Sequence, residues 1–306
     1  MSDKSISERK VKKDLSFTGG ILILYALLVL FLPHAFLYVM KRMQDTVFLE
    51  SDILFFGIYY IFILVGTLVP FLILQKHFSI SFKLISAKID ASFFDLFTQT
   101  IVFFAIVTVA VFISNIIGGY LGLEATLLSN IGNLLRAEYV GSPLFIFLYI
   151  IACPILEEFA FRGVLLNGLR RFGRLFALIA SSTVFALAHT SFADMLTAFL
   201  MAYLLGKVFL RYHSIQPTIV IHILFNLFVY TLCIVPNGAA KYMNYLLILM
   251  YLFSVIYLVI HHSVTGIRIR NSVSSSEAMR LFFTRVTVII AILLFIGHSV
   301  LLLLFP

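Results

Sequence analysis

The chain has 306 residues, of which 62% are hydrophobic and 12% charged, where a soluble globular protein carries about 25% charged residues. That balance excludes an ordinary soluble domain and leaves no polar stretch of useful domain size. The net charge of +8 does not point to nucleic acid, because the basic residues lie between apolar runs, where cytoplasmic loops of membrane proteins collect Lys and Arg.

The first 20 residues are polar and basic, with Lys4, Arg9, Lys10, Lys12 and Lys13 ahead of the first apolar run. No small-residue cleavage site follows, so that run reads as a retained anchor. A hydrocarbon core about 30 Å thick takes about 20 apolar residues per helix. Nine such runs follow one another, at 17–40, 53–74, 95–119, 143–169, 175–190, 194–211, 215–234, 243–261 and 286–305. The expected fold is an all-α polytopic transmembrane helical bundle of about eight to nine spans. The fifth and sixth runs are short, which predicts tilt or partial burial in protein. The chain divides in order into 1–142 (a tail and three spans), a core at 143–234, and closing spans at 235–306.

Loop charge gives an orientation. Lys76, Lys83 and Lys88 fill the second loop, Arg170, Arg171 and Arg174 the fourth, and Arg268, Arg270, Arg280 and Arg285 the eighth, while Lys207 and Arg211 edge the sixth. These loops alternate, so one face collects the cations and the N-terminus is expected in the cytoplasm. Lys41 and Arg42 in the first loop run against the pattern. The segment 75–94 alternates apolar and polar residues and fits an interfacial segment or a plain loop. The Ser-rich stretch 268–280 reads as a mobile linker. Cys153 and Cys233 fall inside apolar runs and read as buried small hydrophobes.

Ionisable residues inside the runs are few. The fourth run carries Glu157, Glu158 and Arg162, the fifth His189, and the seventh His222, followed by Asn226. A charge at a bilayer centre costs about 2.5–3.5 kcal/mol on insertion scales, so such a group calls for a reason. Glu158 and Arg162 are four residues apart and can pair on one helix face. Glu157 is turned about 100° away and need not share the arginine. His222 and Asn226 also share a face. A buried glutamate can act as general base, histidine can exchange a proton with the same water, and a second histidine and an amide can donate to an oxyanion. The same set could instead hold a divalent metal such as zinc on Glu157, His189 and His222, with a position left for water. The spacing is not HExxH. Counted at 1.5 Å per residue, His222 lies about 10 Å inside its span and Glu157 about 18 Å inside its own, so they meet only if helix ends shift or helices tilt.

His34 and His298 lie outside this set and read as structural, His261 and His262 as interfacial, Asp194 as a helix cap, Gly206 as a packing residue and Pro217 as a helix start.

"EEFAFRG" matches an EExxxR motif, "FALAH" (Phe185 to His189) an FxxxH motif, and "HILFN" (His222 to Asn226) an HxxxN motif. Together and in this order they resemble the CPBP family of CAAX proteases and bacteriocin-processing membrane proteins, also called the Abi family. The motifs cover 143–234, and the flanking runs match only in being hydrophobic. The resemblance implies about eight spans and an intramembrane endopeptidase acting on a membrane-associated peptide or protein within the lipid bilayer. In it Glu157 activates water with His189 assisting, His222 and Asn226 stabilise the oxyanion, and Glu158 and Arg162 position the site. It implies either a metalloprotease or a metal-free glutamate mechanism. Two further readings use the same residues: a non-proteolytic scaffold or bacteriocin immunity factor that binds a peptide or partner, and a proton-coupled transporter. All three make it an integral multi-pass protein, of the cell membrane if the source is bacterial.

Overall fold

The computed structural model describes residues 8–43, 52–82, 92–120, 142–189, 191–234, 237–261 and 273–304, and every element among them is helical. Helix α1 starts as Glu8–Ala26, widens into a π turn at Leu27–Phe31 and continues as Leu32–Met43. Then come α2 (Asp52–His77) and α3 (Phe93–Tyr120). Helix α4 is the run Pro143–Phe172. It is followed by α5 (Arg174–Ala188), α6 (Phe192–Tyr212), α7 (Gln216–Ile234), α8 (Asn237–His261), α9 (Val273–Phe283) and α10 (Val286–Leu304).

Each of the nine apolar runs holds a helix. Among the described residues five helical runs are long and apolar enough to cross a membrane by length and composition, and α9 with α10, bent by 66°, makes six. Segments Arg174–Ala188, Gln216–Thr231 and Tyr245–Ile260 are apolar but shorter. Other expectations are corrected. The stretch read as a mobile linker is the helix α9 from Val273 onward, with Ala278, Leu281 and Phe282 buried at helical spacing. The cap of α6 is Ser191, and Asp194 lies buried in the first turn, where an acid also complements the helix dipole. Among the described residues the first helix reaches back to Glu8, ahead of the apolar run at 17, with Glu8 and Lys12 paired on one face. Lys4, Lys83, Lys88, Arg268, Arg270 and His262 lie outside the described residues, as does 83–91 of the segment 75–94.

The helices divide into two compact units interleaved along the chain, one of Met1–Ile80, Val164–Thr190 and Ile269–Pro306, the other of Ser81–Gly163 and Ser191–Arg268. In the first unit α1 packs on α2 and α10. Tyr25 meets the ring of Phe71 edge-on at 5.3 Å and that of Phe295 at 6.1 Å, and Phe176 of α5 meets Phe282 of α9 at 5.6 Å. Gly173, between α4 and α5, has φ +137°, and a Cβ there would run into Ser275 of α9. His34 and His298 face one another here, Nδ1 to Nε2 at 3.3 Å, as a polar contact between helices.

In the second unit the core is a stack of three helices. Phe103, Phe104 and Val107 of α3, Met201, Leu204, Leu205 and Val208 of α6, and Ile221, Phe225 and Val229 of α7 form one cluster. Phe225 meets Phe103 and Phe104 edge-on at 5.7 and 5.6 Å. This fixes the rotation of α7. Ile221, Phe225 and Val229 recur every four residues and turn one stripe to α3 and α6, and the residues one position on, His222 and Asn226, are turned about 100° away toward α4.

Candidate active site

The site is built on α4, and α4 is not a regular α-helix. It starts at Pro143, opens into a π turn at Leu148–Ala152, closes at Cys153–Glu157, opens again over Glu158–Leu166 and ends through Asn167–Leu169 and a tight turn at Arg170–Phe172. The first opening has a local cause. Pro154 brings no N–H, and its ring would press on the carbonyl four residues back. The helix answers with the Cys153 N–H reaching back five residues to Leu148 O. The same device occurs in α1, where the π turn Leu27–Phe31 stands two residues before Pro33. The second opening carries Glu158 and Arg162, and π segments of this kind recur at functional sites.

Glu158 and Arg162 pair as their spacing predicts. Arg162 Nη1 donates to Glu158 Oε1 at 2.8 Å, with the two side chains 2% and 0% exposed. Arg162 is therefore buried rather than snorkelling to a boundary. His222 of α7 meets the same oxygen, Nδ1 to Glu158 Oε1 at 2.9 Å. An ionised carboxylate only accepts, so Nδ1 carries the hydrogen and Nε2 is the nitrogen turned outward. It faces Glu157, with Nε2 3.6 Å from Oε2, longer than a hydrogen bond. Glu157 is the open member of the set, with its side chain 32% exposed against 4% for His222.

Two more α7 residues extend the polar stripe. Thr218, one turn before His222, is buried beside the Glu158 carboxylate, and its hydroxyl donates to Ile215 O at 2.8 Å. It did not stand out in the sequence, although Thr218, His222 and Asn226 share a four-residue spacing that could have found it. Asn226 also reaches α4, but its Nδ2 donates to the backbone carbonyl of Tyr149 at 3.0 Å.

His189 belongs to the other compact unit. It caps the C-terminus of α5 in extended conformation, its N–H bonded to Ala186 O. Its Nδ1 donates to Phe185 O at 2.9 Å, and its ring lies 4.7 Å from that of Phe185. The two ends of the FxxxH motif thus hold one another, and Nε2 is the nitrogen available for other chemistry.

Zinc was expected, if present, on Glu157, His189 and His222. Within its own unit the site supplies Glu157 and His222, one ligand short of the three usual at catalytic zinc. Among the described residues no three His, Cys, Asp or Glu are gathered to hold a metal ion. Glu157 and His222 alone do not fit that ion, and no step of the reaction is routed through one.

No curated protein and no solved structure matches the chain. Residues 139–228, which begin just before α4 and end two residues after Asn226, match the family model of the type II CAAX prenyl endopeptidase Rce1-like proteins, the CAAX-protease family that the three sequence motifs resemble.

Proposed function

We propose that the protein is an intramembrane endopeptidase that hydrolyses a peptide bond near the C-terminus of a prenylated, membrane-associated CAAX-type substrate. The observation that carries this reading is the pairing of an open carboxylate, Glu157, with a histidine whose other nitrogen is fixed by a buried Glu158–Arg162 pair. The family match over the same helices supports it.

In this reading a water bound between Glu157 and His222 attacks the scissile carbonyl carbon. Glu157 takes one of its protons as general base. A new C–O bond forms and the carbonyl oxygen takes the negative charge. On collapse the C–N bond breaks, and the proton passes from the Glu157–His222 pair to the leaving amine. Glu158 orients His222 and selects its tautomer, much as a buried carboxylate orients the histidine of a hydrolytic triad. Arg162 balances the charge of Glu158. The family resemblance gives His189 a part in activating the water, and its hydrogen bond to Phe185 O holds its ring ready for that.

The test is cleavage of a farnesylated CAAX peptide by purified protein reconstituted in lipid vesicles. Glu157→Ala and His222→Ala are each expected to lower kcat by at least about 100-fold, the low end for loss of a general base, and His189→Ala to lower it in the same direction. Full activity in Glu157→Ala would end the assignment and leave a peptide-binding scaffold as the better reading.

A further inference from the structure

We propose that Thr218 is a positioning residue, whose hydroxyl donates to the second oxygen of the Glu158 carboxylate and fixes the plane in which that carboxylate holds His222. The inference deepens the protease reading and rests on it, since it concerns how the histidine beside Glu157 is aimed.

The donors around Glu158 are unevenly shared. Arg162 Nη1 and His222 Nδ1 both reach Oε1, at 2.8 and 2.9 Å. Oε2 is buried and has no hydrogen-bond partner among the described residues. An ionised carboxylate offers about four lone-pair sites, and a bare acceptor in a dry interior costs free energy. The core of a bilayer supplies no water to make good the deficit.

Thr218 is the hydroxyl at hand. It lies one turn before His222 on α7, is itself fully buried, and stands close enough to Glu158 to act on its carboxylate. Its oxygen also rests 2.8 Å from Ile215 O. That carbonyl already accepts the Ile219 N–H at 2.9 Å, as a regular helix requires. One hydroxyl proton therefore faces two acceptors, a backbone carbonyl that is already served and a charged oxygen that is not. A hydroxyl hydrogen rotates to suit its surroundings, and a bond to an ionised acceptor is about twice as strong as one between neutral groups. A turn about the Cβ–Oγ1 bond gives the proton to Glu158 Oε2.

The consequence lies at the far side of the histidine. A carboxylate held at both oxygens does not swing about its last bond. Oε1 then stays on His222 Nδ1, and Nε2 stays turned to Glu157, 3.6 Å from that residue's Oε2. Thr218 and His222 come from α7 and the two glutamates from α4, so the bond also keeps these helices in register.

The test compares full-length Thr218→Val, which replaces the hydroxyl by a methyl group of similar size, with Thr218→Ser, which keeps it. In the farnesylated-peptide assay Thr218→Val is expected to lower kcat about 10-fold with KM little changed, within the roughly 100-fold that a misplacement of about 1 Å can cost. Thr218→Ser is expected to stay close to the parent. Thermal midpoints in detergent are measured for Thr218→Val in the parent and in a Glu158→Leu, Arg162→Met background, which has no carboxylate to serve. The substitution is expected to lower the midpoint in the parent and to leave it unchanged or raised in that background. Parental kcat in Thr218→Val would overturn the proposal, as would an equal loss in Thr218→Ser, which would assign the effect to the methyl group. An equal fall in midpoint in both backgrounds would overturn it too, because Thr218 would then act without Glu158. The midpoints do not depend on catalysis, so they test the bond separately from the protease reading.

Discussion

Arg162 is the largest side chain that the fold withdraws fully from solvent among the described residues. A guanidinium there is tolerable only because Glu158 meets it at 2.8 Å and His222 completes the same carboxylate. Removing one partner of a buried pair leaves the other charge uncompensated, and such changes cost about 3–5 kcal/mol. Arg162→Ala is therefore expected to lower the thermal midpoint in detergent sharply. Replacing both partners by apolar residues of similar volume, as in Glu158→Leu with Arg162→Met, is expected to recover most of that stability while leaving cleavage absent. A midpoint for Arg162→Ala equal to the parent would show that the pair does not hold the site together. At this scale much was legible. Four-residue spacing gave the Glu158–Arg162 pair, and the leftover acid was rightly separated from it. The partner of Asn226 was not legible, because it is a backbone carbonyl of α4, and no side-chain pattern encodes that bond.

The helices show the same mixture. Apolar length located each of them, yet it could not show where they widen, since a π turn depends on which carbonyl a single N–H chooses. Pro33 and Pro154 were visible as residues, but only the backbone shows that each is preceded by a five-residue wide turn. Helix α9 was hidden by composition. Four serines made 268–280 look like a linker, while Ala278, Leu281 and Phe282 already had the spacing of a buried face. What joins α9 to the end of α4 is Gly173, at φ +137° and pressed against Ser275. Both the φ and the space there demand glycine. Gly173→Ala forces an L residue into a sparsely populated conformation, at a cost of about 1–3 kcal/mol, before the contact with Ser275 is counted. Scanning fluorimetry is expected to show a lower midpoint for Gly173→Ala and a near-parental one for Gly20→Ala, whose added Cβ meets nothing within 4 Å. Equal midpoints for the two would mean that the α4–α9 corner does not depend on that backbone conformation.

Across the whole molecule, composition settled the class, and the charge pattern makes a claim about sidedness that helix length puts under strain. Nine apolar runs with alternating basic loops place Lys10 and Arg174 on one side, four crossings apart, and Lys241 on the other after three more. Yet α5, at 15 residues, is about 22 Å long at 1.5 Å per residue, short of a core about 30 Å thick. A short helix can still cross where the bilayer thins or flanking side chains reach outward, at modest cost per ångström, and Arg174 at its first position is suited to that. Single cysteines at Lys10, Arg174 and Lys241 in a cysteine-free background distinguish the cases in intact cells with a membrane-impermeant maleimide. The expected result is protection at Lys10 and Arg174 and labelling at Lys241. Should α5 fail to cross while α6 and α7 do, Lys241 would return to the side of Arg174 and be protected as well. Labelling at Lys10 would invert the molecule, and with it the side from which a substrate reaches Glu157.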